Sequence, residues 1–406
     1  MKRLFTMILV LFSLVPPLLL SGCAGLYANT REVEDLLVIR TMGLDDDPAG
    51  VRLTLASGAG AAADGAPLRL EGRGPSITAA LERIRSLANG EDLFCAHIGH
   101  VLIGEEAARR GLGRALSYVC RAPELRLSVP LYVLRGAAAG DAVLGVGDER
   151  YGICDALASV DGDVKLRGDG HLTTAADVAR DLARQGSALL CAIEYVPSAE
   201  QGVPDDAAQE TLRRDGKQDS PLEGGGEQMT VAPAGYGVVK DGRLCAFIDR
   251  EDAVAVGLLL GKSGPCELVL TDRAGGRTTL TLERGRAELR PVWTEDGSLT
   301  RLAGEVTAEA AVAETAGAEG LAAVPEDEAL RALLEAELSE RLSSVLQLAK
   351  ELRADFLGLG ARLELDAPRR FRALEQPFSE TLGELPVRLS VSARLTHSND
   401  LEEASP

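Results

Sequence analysis

The sequence predicts a chain of mixed α/β and α+β class. It reads as three domains of mixed sheets with packed helices, the last an antiparallel sheet carrying one long helix. Three observations predict this. After residue 50 strand-like and helix-like periodicities alternate, the order of a layered α/β domain. Near residue 199 the apolar signal vanishes for about thirty residues, as in a linker. The last third then runs strands, long helix, strand, which suggests a sheet with one helix on its apolar face.

Residues 1–22 read as a leader. Lys2 and Arg3 precede an apolar run from Leu4 to Val15, the charged and apolar regions of a secretory signal peptide. Pro16 and Pro17 stop that run short of the ~20 residues a membrane-spanning helix needs. Leu20-Ser21-Gly22-Cys23 then resembles the bacterial lipobox, whose cysteine is thioether-linked to diacylglycerol and becomes the new N-terminus. The reaction needs a thiol at that place and small residues beside it. Cys23 is the expected lipidation site and its covalent diacylglycerol the only expected cofactor. Two acyl chains hold firmly where a single chain binds reversibly.

Residues 23–198 are expected to form the N-terminal α/β domain. Val51, Leu53 and Leu55 alternate with polar partners, as in a half-buried strand. Ile77, Ala80, Leu81, Ile84 and Leu87 keep helical spacing after Gly74-Pro75-Ser76. Ile98 to Ile103 reads as a buried strand, Glu105 to Cys120 as one helix, and Leu127 to Val133 as an alternating strand. A helix from Thr174 to Gln185 and an apolar strand from Ala188 to Val196 complete the unit.

Residues 199–228 follow as a linker or long loop. Residues 229–275 are expected to be a small middle domain, with a hairpin turn at Lys240-Asp241-Gly242 between apolar runs. The C-terminal α+β domain spans 276–396. Leu302, Val306, Ala308, Ala310 and Val312 share one strand face, and Leu330, Leu334, Leu338, Leu342, Val345, Ala349 and Leu352 form one helical stripe. Val387 to Leu395 is the cleanest alternation in the chain, and the tail 397–406 is expected to be disordered.

A formal net charge of −19 argues against nucleic acid as a partner and against electrostatic adhesion to anionic headgroups. Six cysteines follow Cys23, widely spaced and without C-x-x-C; several lie in apolar segments, where a reduced core thiol is commonplace.

The catalytic templates fail one by one. His97 and His100 form H-x-x-H, but three residues apart on a strand they point to opposite faces and cannot share a metal. Val256 to Ser263 has the outline of a P-loop, with Val where Gly is needed and a Leu run where phosphate needs bare amides. Gly136-Ala-Ala-Ala-Gly140 sits where a dinucleotide fingerprint would, but Ala142 replaces its last glycine. With 62 acidic residues, paired carboxylates occur by chance and identify nothing. The chain reads as a non-catalytic, lipid-anchored binding or assembly protein.

Several strings, in order, resemble one family. Arg31-Glu-Val-Glu-Asp-Leu36 and Met42-Gly43-Leu44-Asp45 are similar to the R-E-L-x-E-L … G-I-D that opens the Ger(x)C spore germination lipoproteins. His97-Ile-Gly-His-Val-Leu-Ile-Gly104-Glu105-Glu106 resembles their H-L-K-V-V-x-I-G-E-E, and Arg121-Ala-Pro-Glu-Leu-Arg126 their R-D-P-E-x-R. Gly237-Val-Val-Lys-Asp-Gly-Arg-Leu244 resembles V-F-K-x-D-K-L, and Asp355-Phe-Leu-Gly-Leu-Gly360 resembles D-x-L-G-F-G. Phe371 and Phe378 stand where the family tends to carry Trp, and the closing Gly after the last strand is absent.

The resemblance implies a three-domain lipoprotein on the outer face of the spore inner membrane. It would be the C subunit of a germinant receptor, assembling with integral-membrane A- and B-type subunits to support nutrient-triggered germination. His97, Arg121 and Arg126 match motif positions, as partner contacts or as structural groups such as a buried His bond or an Arg paired with Glu124. The alternative is a solute-binding lipoprotein of a transporter, which would need two similar lobes. A secreted hydrolase lacks every expected motif.

Overall fold

The computed structural model describes residues 36–58, 66–88, 92–147, 151–166, 170–198, 228–272, 275–316, 327–374 and 376–396. The leader with Cys23, the stretch 199–227 and the tail 397–406 lie outside the described residues.

The first sheet is built from β1 (Leu36–Asp47), β2 (Gly50–Ser57), β3 (Arg69–Gly74), β4 (Asp92–Phe94), β5 (His100–Gly104), β6 (Leu131–Arg135), β7 (Ser187–Pro197), β8 (Met229–Lys240) and β9 (Arg243–Ile248). Its order is β3-β2-β1-β5-β6-β7-β8-β9, with β4 also pairing β1. β1, β5, β6 and β7 run parallel, while the flanking strands are antiparallel.

Parallel strands covered on both faces are apolar throughout. Along β6, Leu131 and Val133 face one core, and Tyr132 and Leu134 the other. The first of these cores is closed by α1 (Ile77–Leu87), α2 (Glu105–Arg110), α3 (Gly113–Arg121) and α6 (Ala175–Gln185). The second is closed by α4 (Ala139–Gly145) and α5 (Ile153–Leu166). Local capping fixes two of these helices. Ser76 accepts from the Ala79 amide, and Thr174 and Asp177 form a reciprocal capping box.

The single helix expected over Glu105–Cys120 is broken at Gly111, which adopts φ +147°. The Leu112 amide there donates to the Gly242 carbonyl at 2.8 Å, so the break docks onto the β8–β9 turn. The strand expected to begin at Leu127 starts at Leu131, and Leu127 is 48% exposed. α5 answers to no expectation drawn from the sequence.

The stretch expected as a middle domain, 229–275, divides between two sheets. β8 pairs with β7 from Ser187↔Lys240 to Pro197↔Met229, so β8 and β9 extend the first sheet. The polar stretch 199–228 therefore leaves and re-enters one strand pair. The turn between β8 and β9 has positive φ at both Asp241 and Gly242, the two-residue hairpin geometry that Lys-Asp-Gly predicts. After it, α7 (Ala253–Leu260) is buried over almost its whole surface. Val256 to Leu260 of the stretch with the outline of a P-loop lie in this core helix, and Gly261 to Ser263 lie beyond its end.

The second sheet has the order β10 (Cys266–Thr271), β11 (Arg277–Trp293), β12 (Leu299–Ala316), β13 (Val387–Thr396). Between β12 and β13 come α8 (Asp327–Glu351), α9 (Leu359–Asp366), α10 (Pro368–Arg372) and α11 (Phe378–Glu384). β13 runs parallel to β12, so this sheet is mixed rather than wholly antiparallel. The reason is the crossover: four helices carry the chain back to the starting end of β12. The stripe of α8 is buried as the spacing predicts, from Leu330 to Ala349.

Candidate functional site

Topology gathers the three motif residues at one end of the first sheet. The parallel strands all begin there, and the chain enters β1 there from its N-terminal segment. His97 lies in the turn between β4 and β5, held by Ile98 donating to the Cys95 carbonyl and Gly99 donating to the Arg40 carbonyl. Its ring is exposed and tilted against Phe94, with centroids 5.4 Å apart. Arg121 closes α3, and Arg126 lies in the loop that leads to β6.

That loop is a folded structure. Leu125 donates to the Ala122 carbonyl and Val129 to the Arg126 carbonyl, and Leu125 is buried. Both arginines are exposed. The pairing with Glu124 considered from the sequence is not formed; Glu124 lies 3.8 Å from Arg85 instead. A groove of about 500 Å³ runs between α1 and α3, lined among others by Arg85, Arg114, Tyr118 and Arg121. Arg85 is paired with Glu82 at 2.7 Å and Arg114 donates to the Gly50 carbonyl, whereas Arg121 and Arg126 have no ion pair among the described residues. Exposed guanidinium groups of this kind recognise carboxylate or phosphate.

Beneath the sheet lies a buried polar row that motif reading missed. His100 is buried, its Nε2 3.2 Å from Asp161 on α5, and the Tyr132 hydroxyl donates to the same carboxylate. Across β7, the Cys191 amide donates to Thr173 at 3.0 Å and the Cys191 thiol reaches the His171 carbonyl at 3.1 Å. On β8, the Tyr236 hydroxyl contacts His171 Nδ1 at 3.2 Å. Register explains the row: Tyr132 pairs with Cys191, and Cys191 with Tyr236.

This row is not arranged for covalent catalysis. Burial pushes the Cys191 thiol up to about 11, away from the reactive thiolate. Its contact to His171 is to the backbone carbonyl rather than the imidazole. Burial, with help from Lys262, pushes His171 down to about 4, and burial raises Tyr132 far above its ordinary value. Neither is poised for proton transfer near neutral pH. Among the described residues no group of three His, Cys, Asp or Glu is placed to hold a metal. The six cysteines after Cys23 are all free; Cys120 and Cys245 are exposed, and the other four buried.

The conspicuous family strings also resolve into structure. Asp45 accepts from the Ala139 and Gly140 amides at 2.7 Å each, so it occupies the N-terminus of α4. That is where a bound phosphate would sit in a dinucleotide-binding sheet. The chain's own carboxylate fills it, which closes the question raised by Gly136–Gly140. Asp355 repeats the arrangement in the second half, accepting from Leu359 and Gly360 at 2.7 Å each at the start of α9.

Two family models match the chain. One is described as the spore germination protein N-terminal domain, over residues 29–143; the other as spore germination B3/GerAC-like, C-terminal, over residues 234–399. The crystal structure of the GerBC protein is similar in fold, with TM-score 0.50 and 14% identity over 87% of this chain and 96% of that one. No curated protein matches.

Proposed function

The chain belongs to the Ger(x)C family of spore germination proteins, and from that premise we propose that it is the lipid-anchored C subunit of a nutrient germinant receptor. The observation that carries this reading is the pair of family segments, in order, behind a leader that ends in Leu-Ser-Gly-Cys. In this reading diacylglycerol on Cys23 holds the protein on the outer face of the spore inner membrane. It assembles there with A- and B-type integral-membrane subunits and relays or scaffolds the response to nutrient. The edge that carries His97, Arg121 and Arg126 faces those partners. Two features support that orientation: the N-terminal segment leads into β1 at this edge, and the two arginines are exposed and have no carboxylate partner among the described residues. Among the described residues no helix is long and apolar enough to cross a membrane, so the lipid does the anchoring in this proposal.

The test is purification of the protein from dormant-spore inner membrane, with mass spectrometry of the accompanying chains and of the N-terminal peptide. Diacylated Cys23 and two multi-spanning partners are expected. Cys23→Ala should release the protein and impair the nutrient response. Arg121→Glu with Arg126→Glu should lose the partners at unchanged thermal stability, because neither side chain is buried. A transporter permease in place of the two partners would overturn the receptor reading. Retention of both partners by the double variant would remove the arginines from the interface.

A further inference from the structure

We propose that the cleft between α6 and α9, where the two halves of the molecule meet, is a binding site for a small organic anion bearing a carboxylate or phosphate group. This rests on the cleft alone and stands whether or not the receptor reading does.

The cavity has a volume of about 300 Å³. That lies at the small end of ligand pockets and suits a metabolite rather than a macromolecular segment. One wall comes from the first half, with His171, Thr173 and the polar face of α6. The other comes from the loop after Asp355 and from α9. Junctions between packed units are favoured places for such sites, because each side can bring part of the recognition.

Charge decides the ligand class. Arg180, Arg184, Lys262 and Arg362 line the cleft against two carboxylates, Asp177 and Asp181, within a chain of net charge −19. Both carboxylates are committed. Asp177 accepts from Thr174 at 2.7 Å and lies 2.9 Å from Arg180, while Asp181 lies 3.0 Å from Arg180. Arg184 reaches across the junction to Glu364 at 3.4 Å.

Lys262 and Arg362 are left over. Neither side chain has an ion pair with any described residue. Arg362 is half-buried, and its nearby carboxylate, Asp355, gives both oxygens to the amides of Leu359 and Gly360. Burial accordingly pushes the Arg362 guanidinium below its ordinary value, and Lys262 helps push His171 down. Asp355 opposes the push on Arg362 by its charge but has no hydrogen bond to spare for the guanidinium, and an anion accepting the parallel N–H groups of Arg362 would supply one. Leu189, Leu260, Phe356 and Leu357 supply an apolar wall for the rest of the ligand.

The experiment is calorimetric titration of the full-length lipidated protein in detergent with phenylacetate, inorganic phosphate and neutral phenylacetamide. Saturable binding of at least one anion, and none of the amide, is expected. Phosphate binding more tightly than phenylacetate would identify a phosphorylated ligand; the reverse order would identify a carboxylic acid. Lys262→Gln and Arg362→Gln should each weaken binding about tenfold, as expected for loss of one charge-assisted contact. Lys262 is exposed, so its variant keeps the fold even where the Arg362 variant does not. The proposal is overturned if neither anion binds, if the amide binds as well as the acid, or if the folded Lys262 variant binds like the parent.

Discussion

Asp45 and Asp355 show what a family string looks like from inside the molecule. Each buries a carboxylate against two backbone amides that open a helix, α4 in one half and α9 in the other. The surrounding glycines follow from this. A Cβ on Gly104 would stand 2.1 Å from Asp45 Oδ1, and one on Gly360 would meet Phe378 at 2.7 Å. Asp355 carries a testable pH dependence. Burial, opposed by the Gly360 and Leu359 amides, pushes it up to about 6 from an ordinary 3.8. A carboxyl whose pKa is higher folded than unfolded binds its proton more tightly in the native state. Its contribution is therefore complete below the ordinary value and is lost as the pH rises through about 6. Asp355→Asn cannot ionise, so its urea midpoint should fall less steeply than the parent's across that window, although its loss of one acceptor lowers stability throughout. Parallel curves for the two proteins would refute the assignment. How much was legible at this scale follows from distance along the chain. Helix starts at Ser76 and Thr174 show in the sequence because a cap acts three residues away. Asp45 reaches an amide 94 residues away, and no local signal announces that.

At the scale of elements, periodicity predicted α8 and β13 nearly to their ends, because each keeps one face in the core and one in water. It failed where both faces are buried or where a contact from elsewhere ends the element. β6 is apolar on both faces, so its start was misplaced, and the α2–α3 break depends on a carbonyl of the β8–β9 turn. The expected middle domain failed for a similar reason: the apolar residues of β8 match the first sheet, but a sequence does not show which edge receives them. Gly235 on β8 makes this docking testable. It adopts φ +93°, and a Cβ there would lie 2.1 Å from the Ile248 carbonyl oxygen on β9. Gly242, in the turn, has φ +74° with nothing within 4 Å. Gly235→Ala should cost about 3 kcal/mol or more by urea denaturation, strain plus clash, whereas Gly242→Ala should cost about 1 to 2 kcal/mol from backbone strain alone. Equal losses would show that the β8–β9 contact yields without cost.

For the whole molecule, the two sheets are unlike in strand number and order, so the described residues do not form the two similar lobes that a hinge-type solute-binding protein needs. The halves are also interlocked. One hydrophobic core runs from Leu102, Tyr132 and Tyr236 of the first sheet through α7 to the helices over the second. The C-terminal family segment begins at residue 234, inside β8, which is a strand of the first sheet. A boundary drawn by family segments therefore cuts through a sheet. The consequence is a prediction about fragments. A chain ending at residue 198 leaves the apolar β7 as an open edge, with the amides and carbonyls that β8 satisfies unpaired, a template for aggregation. A chain ending at residue 250 restores β8 and β9, and with them the ladder from Ser187 to Pro197. On expression without the leader, the shorter fragment should be found in the insoluble fraction. The longer one should be recovered in greater soluble yield, with β7 amides protected from hydrogen exchange. If both fragments are equally soluble and β7 exchanges at the same rate in each, the first half is a self-sufficient domain and the interlock contributes nothing to its folding.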